Sequence, residues 1–370
     1  MIVVRGCRSG THQREPRCAA VRTTPDCLHA QCEIICVWTQ IRGHVVGSRT
    51  AGSFRAIRPK VLINRIGFWY NLRSGKLNLW TEFKGLPTCG IRPVISVADV
   101  LERSMTIGGL EHGYLEAGSP GDDPIVLLHD GAFGSDALSC WGPVLGALSA
   151  RHRVIAPDLT GYGRSPKLFH FDMNARTQRL HYVRLLLERL GVAPAAFVGA
   201  SFGGSLVLQA ALERWTSVTS VVSICGTGGL FMNATGFRTL GEYSPGDAVE
   251  PIVDLLMASP PGGEVLRRTR AAAEPAHWKA LRAPSLAPPN APAGPPPDRD
   301  ERYRASLAGI AVPVLLVGGS EDELLATGWE QDLASLIPGA RAQVIAGARH
   351  FPQIDQPERT AAAILDFVDG

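Results

Sequence analysis

Long apolar runs are missing from this chain of 370 residues. No stretch approaches the length of a membrane-spanning helix, and the N-terminal "MIVVRGCRSG" lacks the apolar core of a secretory signal. The expected compartment is therefore the cytoplasm. Tight cysteine pairs are missing too: the eight cysteines include no CxxC, and Cys27, Cys32 and Cys36 have no histidine at finger spacing. No metal site is expected, and without an export signal neither is a disulfide framework. Nor does one sign of charge dominate. The formal net charge of +3 combines 16 Lys+Arg against 6 Asp+Glu in residues 1–104 with 21 against 28 in residues 105–370. The basic residues of the first part are scattered and its aromatics form no repeated platform, so nucleic acid is not an expected partner.

What is present is the composition of a globular protein, 45% hydrophobic and 19% charged. Its organisation is uneven. Residues 1–104 hold six of the eight cysteines and little sustained periodicity. Three readings compete for them: a poorly ordered extension, an arginine-rich targeting segment, or upstream sequence translated through a wrongly assigned start. The last is favoured, with Met105 as the true beginning, because regular organisation starts at "MTIGGLEHGYLEAG".

From 105 to 370 short apolar runs alternate with helical stretches. "PIVLLH" (124–129), "HRVIAPDL" (152–159), "AAFVGAS" (195–201), "VTSVVSICG" (218–226), "VPVLLVGG" (312–319) and "ARAQVIAG" (340–347) read as strands buried on both faces or nearly so. Helices are expected near 137–149, 175–190, 203–214, 326–336 and 357–368. In the second, Leu180, Val183, Leu186, Leu187 and Leu190 form one apolar stripe, leaving Arg179, Arg184, Glu188 and Arg189 largely elsewhere. This is the pattern of an α/β fold, a mostly parallel sheet covered by helices on both faces. One interval, about 229–310, breaks the alternation and reads as an inserted helical lid. Its proline-rich end, 283–297, cannot continue a helix and is expected to form an extended or partly mobile connection.

The stretch "FVGASFGGSLV" places Ser201 between a buried strand and a helix, with Gly199 and Gly203 permitting close backbone passage. That strand, turn, helix setting exposes a serine as a nucleophile. A serine needs a base and an orienting acid, and both stand at later strand ends: Asp322 in "VPVLLVGGSEDE" and His350 in "ARAQVIAGARHFPQ". Glu321 is the competing acid and ranks below Asp322. The oxyanion of an acyl-transfer intermediate needs two donors. The backbone N–H of Phe202 is one candidate and that of Gly131, in "LLHDGAFGSD", the other, with Ala132 as its neighbour. His129 is assigned to bracing this loop rather than to base catalysis. Asp130 is expected to bind loop backbone, since a carboxylate facing the oxyanion would oppose it.

Together "LLHDGAFG", "RVIAPDLTGYGRS", "FVGASFGG", "VPVLLVGGSEDE" and "GARHFPQIDQPE" resemble the alpha/beta-hydrolase superfamily, in particular its lidded members related to prolyl iminopeptidases, non-haem peroxidases and meta-cleavage product hydrolases. The resemblance implies the alpha/beta-hydrolase fold over 105–370, an oxyanion role for the loop opening at His129, a structural role for Asp158 and Gly161 to Ser165, and catalytic roles for Ser201, Asp322 and His350. Asp130 stands where the family usually has glycine, and Ala200 where it often has histidine or asparagine. Relatives that hydrolyse epoxides or haloalkanes carry aspartate at the place of Ser201, which disfavours those reactions.

The expected function is hydrolysis of a small or medium, partly apolar carboxylic ester through an acyl-enzyme, with no metal or organic cofactor. Carbon–carbon bond hydrolysis of a ring-cleavage product is the first alternative, a catalytically silent small-molecule binding protein the second. Phe231, Met232, Phe237, Tyr243, Leu255, Leu256, Met257 and Trp278 are candidates for lining the pocket or packing the lid. Arg267, Arg268 and Arg270 could meet a substrate carboxylate, with a solvated helix face the plainer reading. Self-association is left open.

Overall fold

The computed structural model describes residues 65–71, 76–82, 100–286 and 298–370. Expectations that fall on 1–64, 72–75, 83–99 and 287–297, including most of the proline-rich segment, lie outside the described residues. The chain divides into two compact units, Met1–Cys89 and Gly90–Gly370. In the first, strands β1 (Arg65–Asn71) and β2 (Lys76–Glu82) pair antiparallel with Arg65 opposite Glu82. This hairpin was not foreseen, because the adjacent aromatics of "GFWY" interrupt the period-two alternation by which a strand is read.

The second unit is built on an eight-stranded sheet. Its strands are β3 (Leu101–Ile107), β4 (Leu110–Ala117), β5 (Pro124–Leu128), β6 (Arg153–Pro157), β7 (Ala195–Ala200), β8 (Val218–Ile224), β9 (Val314–Gly319) and β10 (Arg341–Ile345), in the order β10-β9-β8-β7-β5-β6-β4-β3. From β6 to β10 all neighbours are parallel; β4 pairs antiparallel with both β6 and β3. The expected parallel sheet is therefore present, with an antiparallel hairpin at one edge. That hairpin begins four residues before the expected boundary at Met105. The first four residues of β3 are exposed, so no apolar run announces them. At the other edge β10 departs from the expectation of burial: only Ile345 is buried, because an edge strand has a neighbour on one side alone.

The central strands carry the core. Every residue of β7 and β9 is buried. Helices α1 (Ala137–Ser149), α2 (Ala175–Leu190) and α3 (Phe202–Leu212) connect the strands up to β8. Asp136 and Ser139 close α1 with a reciprocal capping box, and Asn174 caps α2 by accepting from the N–H groups of Arg176 and Thr177. The stripe of α2 is buried as expected at Leu180, Val183, Leu186 and Leu187, but Arg179 is buried with it. Among the described residues no helix is long and apolar enough to cross a membrane.

Between β8 and β9 lie α4 (Ala234–Glu242), α5 (Glu250–Leu256), α6 (Glu264–Ala272), α7 (Pro275–Arg282) and α8 (Arg299–Leu307). After β9 come α9 (Trp329–Ala334), shorter than expected, then β10, α10 (Pro352–Asp355) and α11 (Pro357–Val368). The inserted helices have their own apolar cluster, centred on Tyr243, Val253, Leu256 and Met257 and shared with Phe133 of the loop after β5.

Polar contacts fasten the insertion to that loop. Arg268, 1% exposed, donates from Nε to Glu264 at 2.7 Å and from Nη1 to the carbonyl of Phe133 at 2.7 Å. Arg267 pairs with the same glutamate and donates to the Gly134 carbonyl. Both arginines are thus committed to protein partners, Arg268 is buried and Arg267 half-buried, and of the three only Arg270 is exposed. The correction follows from a tertiary partner, the loop carbonyls, that no helical pattern reveals. His277 completes the clamp. Its Nε2 accepts from the Gly134 N–H at 2.8 Å, which leaves Nδ1 to carry the proton and donate to the Gly161 carbonyl at 2.8 Å.

Burial lowers the pKa of His277 from its ordinary 6.5, ahead of smaller opposing effects. The unfolded chain therefore takes up this proton first. The His277 contribution to stability is complete above about pH 6.5 and is lost as pH falls through the lower folded value. Replacing His277 by Gln is expected to cost about 1–2 kcal/mol at pH 8 and less at pH 5; urea unfolding at both pH values checks this, and a pH-independent cost would refute it. Arg268→Leu, which leaves Glu264 short of one partner and Phe133 without a donor, should lose about 3 kcal/mol in the same measurement.

Candidate active site

In a parallel sheet the loops leaving the C-terminal strand ends gather on one side. Here they carry His129 to Ser135 after β5, Ser201 after β7, Asp322 after β9 and His350 after β10. Ser201 stands between β7 and α3 at φ 52° and ψ −111°, left-handed values that a serine rarely adopts. The turn exists because its flanks approach so closely. A Cβ on Gly199 would lie 2.1 Å from the Gly203 carbonyl oxygen, and one on Gly203 would lie 2.0 Å from that of Leu128. The Ser201 N–H is tied to the Ile224 carbonyl at 2.7 Å, fixing the bend against β8.

The structure brings Ser201, His350 and Asp322 into one hydrogen-bonded line. His350 Nε2 lies 2.8 Å from Ser201 Oγ, and Nδ1 lies 2.8 Å from Asp322 Oδ2. The second oxygen of Asp322 accepts from the Leu324 N–H at 2.8 Å. Burial alone would raise the Asp322 carboxyl; the His350 imidazole foremost, then the Leu324 N–H and the Cys225 thiol, outweigh it and hold the pKa below the ordinary carboxylate value. An ionised Asp322 can only accept, so Nδ1 carries the imidazole proton and Nε2 is free to accept from Ser201. Glu321, the competing acid, is exposed. Cys225 was not foreseen at this site. It directly follows β8, and its sulfur lies within 4.8 Å of the ligating atoms of Asp322 and His350, with burial pushing its pKa well up so that it remains a thiol.

The loop after β5 is held from several sides. His129 donates from Nδ1 to the Asp130 carbonyl at 2.7 Å and accepts at Nε2 from the Leu159 N–H at 2.9 Å. Both ring nitrogens are therefore occupied. The Asp130 carboxylate turns into the loop, accepting from the Ala132 N–H at 2.9 Å and from Ser135 Oγ at 2.6 Å. That contact consumes the Ala132 donor. The N–H groups of Gly131 and Phe202 have no hydrogen-bond acceptor among the described residues, and the two residues touch: a Cβ on Gly131 would lie 2.8 Å from that of Phe202. Tyr162 lies in the Gly161 to Ser165 segment expected to be structural, but its contact was not foreseen: its hydroxyl donates to the Gly131 carbonyl at 2.8 Å, and burial raises its pKa to about 12. Asp158 accepts from the Ala137 and Arg164 N–H groups, at 2.9 Å each, and so joins the "TGYGRS" turn to the start of α1.

A cavity of about 420 Å³ opens at Ser201 and His350. Its walls include Gly131, Phe202, Tyr162 and Arg179 from the sheet side, and Phe237, Leu256, Trp278 and Arg282 from the inserted helices. Of the eight apolar residues considered for the lining, Phe237, Leu256 and Trp278 line it. Tyr243 and Met257 are buried in the insertion's own cluster with Leu255 packed beside them, Met232 is exposed, and Phe231 packs on the main core.

The chain was also compared with known proteins. It is 26% identical over 251 residues to a 2-hydroxymuconate semialdehyde hydrolase of Pseudomonas sp. strain CF600, covering 66% of this chain and 86% of that one. It is 29% identical over 258 residues to a pimeloyl-[acyl-carrier protein] methyl ester esterase of Edwardsiella ictaluri, covering 68% and 95%. Among solved structures, a 2-hydroxy-6-oxo-6-phenylhexa-2,4-dienoate hydrolase of Rhodococcus sp. strain RHA1 shares the fold at a TM-score of 0.62 and 21% identity, over 73% of this chain and 99% of that one. A carboxylesterase of Bacillus subtilis does so at a TM-score of 0.59 and 20% identity, over 72% and 91%. The model of the alpha/beta hydrolase family matches residues 125–363, which takes in both ends of the sheet's parallel part and all three members of the hydrogen-bonded line, and the chain belongs to that family.

Proposed function

We propose that the protein is a serine-dependent hydrolase of small or medium, partly apolar carboxylic esters. The observation that carries this reading is the line from Ser201 through His350 to Asp322, ending at a cavity where two backbone N–H groups have no acceptor among the described residues. In the first step His350 Nε2 takes the proton of Ser201 Oγ as the oxygen adds to the ester carbonyl. The carbonyl oxygen becomes an oxyanion, received by the N–H groups of Phe202 and Gly131. Asp322 holds the imidazole in the required tautomer and offsets its charge once protonated. His350 then gives its proton to the departing alkoxide, leaving an acyl group on Ser201. Water, deprotonated by the same imidazole, adds to the acyl carbonyl, and collapse of the second intermediate returns the acid and the free serine. The steps use side chains, backbone amides and water. The inserted helices act as a lid whose Phe237, Leu256 and Trp278 receive the apolar part of the substrate.

Carbon–carbon bond hydrolysis is the second reading, supported by the similarity to a 2-hydroxymuconate semialdehyde hydrolase. Ala200 and the departure at Asp130 weigh toward the ester. Hydrolysis of p-nitrophenyl acyl esters of graded chain length tests the first reading, and a dienone ring-cleavage product tests the second. Ser201→Ala is expected to lower kcat on the order of 10⁴-fold or more, and Asp322→Asn by about 10⁴-fold, both with fold and unfolding midpoint near wild type. A fluorophosphonate should label Ser201 in the wild type. Full turnover in the alanine variant would refute the nucleophile, and an unlabelled serine would favour a silent binding protein.

A further inference from the structure

Arg179 is a buried cation without a counter-ion. On α2 it is 3% exposed, and no carboxylate lies within ion-pair distance of it among the described residues. Its Nη1 donates to the Ala175 carbonyl at 2.9 Å, one turn back on its own helix, while its Nε is buried with no hydrogen-bond partner. The guanidinium carbon lies 5.5 Å from the ring centroid of Tyr162 and 5.3 Å from that of Phe202, at the wall of the cavity that opens at Ser201. Arg268, the other deeply buried arginine of the same unit, shows the ordinary solution, with Glu264 at 2.7 Å. A desolvated charge left unpaired is costly, and a positioned guanidinium with an unused N–H recognises planar anions. The cavity agrees in sign. Among the described residues its lining contains the arginines Arg179, which is buried, and Arg282, which is exposed, and no aspartate or glutamate.

We propose that Arg179 binds a carboxylate carried by the substrate, so that the preferred esters are anionic. The inference rests on the ester hydrolase reading and narrows its substrate class. The two aromatic rings flank the guanidinium, the Ala175 carbonyl fixes Nη1, and Nη2, which makes no hydrogen bond among the described residues, meets the carboxylate. Binding moves no proton and breaks no bond; it places the ester beside Ser201. Arg179 is thus a specificity residue, reached through helix α2 rather than through the inserted helices.

The test uses the full chain and two pairs of esters matched in shape. p-Nitrophenyl hydrogen glutarate against p-nitrophenyl glutaramate places the charge on the acyl side; para-acetoxybenzoate against para-acetoxybenzamide places it on the leaving side. In the wild type kcat/KM should favour the anionic member of one pair by at least about tenfold, as expected of a charge-assisted hydrogen bond. Arg179→Gln should bring that ratio to about one, and Arg179→Lys, which keeps the charge but loses the planar fork, should keep part of it. Three results overturn the proposal: no anionic preference in either pair, an equal loss on both members in Arg179→Gln, or abolition of the preference by Arg282→Gln alone. If no ester is turned over, the hydrolase reading fails separately, and calorimetric titration of Ser201→Ala with glutarate and with benzoate decides the anion site. Binding lost on adding Arg179→Gln supports it, and no binding of either acid overturns it.

Discussion

Ser201 occupies a backbone conformation that costs free energy, and much of the surrounding structure can be read as the means of holding it there. The bend needs β7 and α3 pressed together where Gly199 meets the Gly203 carbonyl, and α3 pressed onto the end of β5 where Gly203 meets Leu128. That pinch also decides where the next residue goes. Phe202, first in the helix, has an N–H without an intrahelical partner, and its ring lies against Gly131 on one side and the guanidinium of Arg179 on the other. The strained serine and the unpartnered N–H of Phe202 are consequences of one close approach of backbone to backbone.

Two buried arginines show how differently the same residue can be used. Arg268 is neutralised by Glu264 and spends its remaining donor on the Phe133 carbonyl, so its charge serves the attachment of the inserted helices to the loop after β5. His277 works at the same seam as a neutral bridge between Gly134 and Gly161. Arg179 has rings in place of a carboxylate, and cation–π contact offsets only part of the lost hydration. The loop from His129 to Ser135 lies among these groups: its histidine, its carboxylate and the Ala132 amide are all occupied, and the Gly131 amide has no acceptor among the described residues.

The sequence was most informative where local pattern and tertiary role coincide. β5 to β9 were legible because buried parallel strands read as unbroken apolar runs, Ser201 and Asp322 because each stands just past such a run, and His350 because it is the one histidine that follows Asp322 in the chain. The edges were less legible. β3 is nearly all exposed and β10 mostly so, and neither carries the apolar signature that marked the centre. On α2 the helical period separated Arg179 from the leucine stripe, although its side chain reaches between Tyr162 and Phe202, residues that the sheet brings near from elsewhere. Cys225, Tyr162, His277 and Arg268 share this origin: each acts on a partner many residues away in the chain, and no periodicity reports that distance.

β8 and β9 are direct neighbours in the sheet, with Val221 opposite Val314 and Ile224 opposite Val317, although the inserted helices α4 to α8 lie between them in the chain. The hydrogen-bond ladder, not the length of the connection, sets the distance from Ser201 to Asp322. Closing a longer or shorter excursion changes the loop entropy only logarithmically. The inserted helices that line the cavity and the strand ends that carry Ser201 and Asp322 are therefore separable parts: a change in the length of the excursion leaves the register of the sheet where it is.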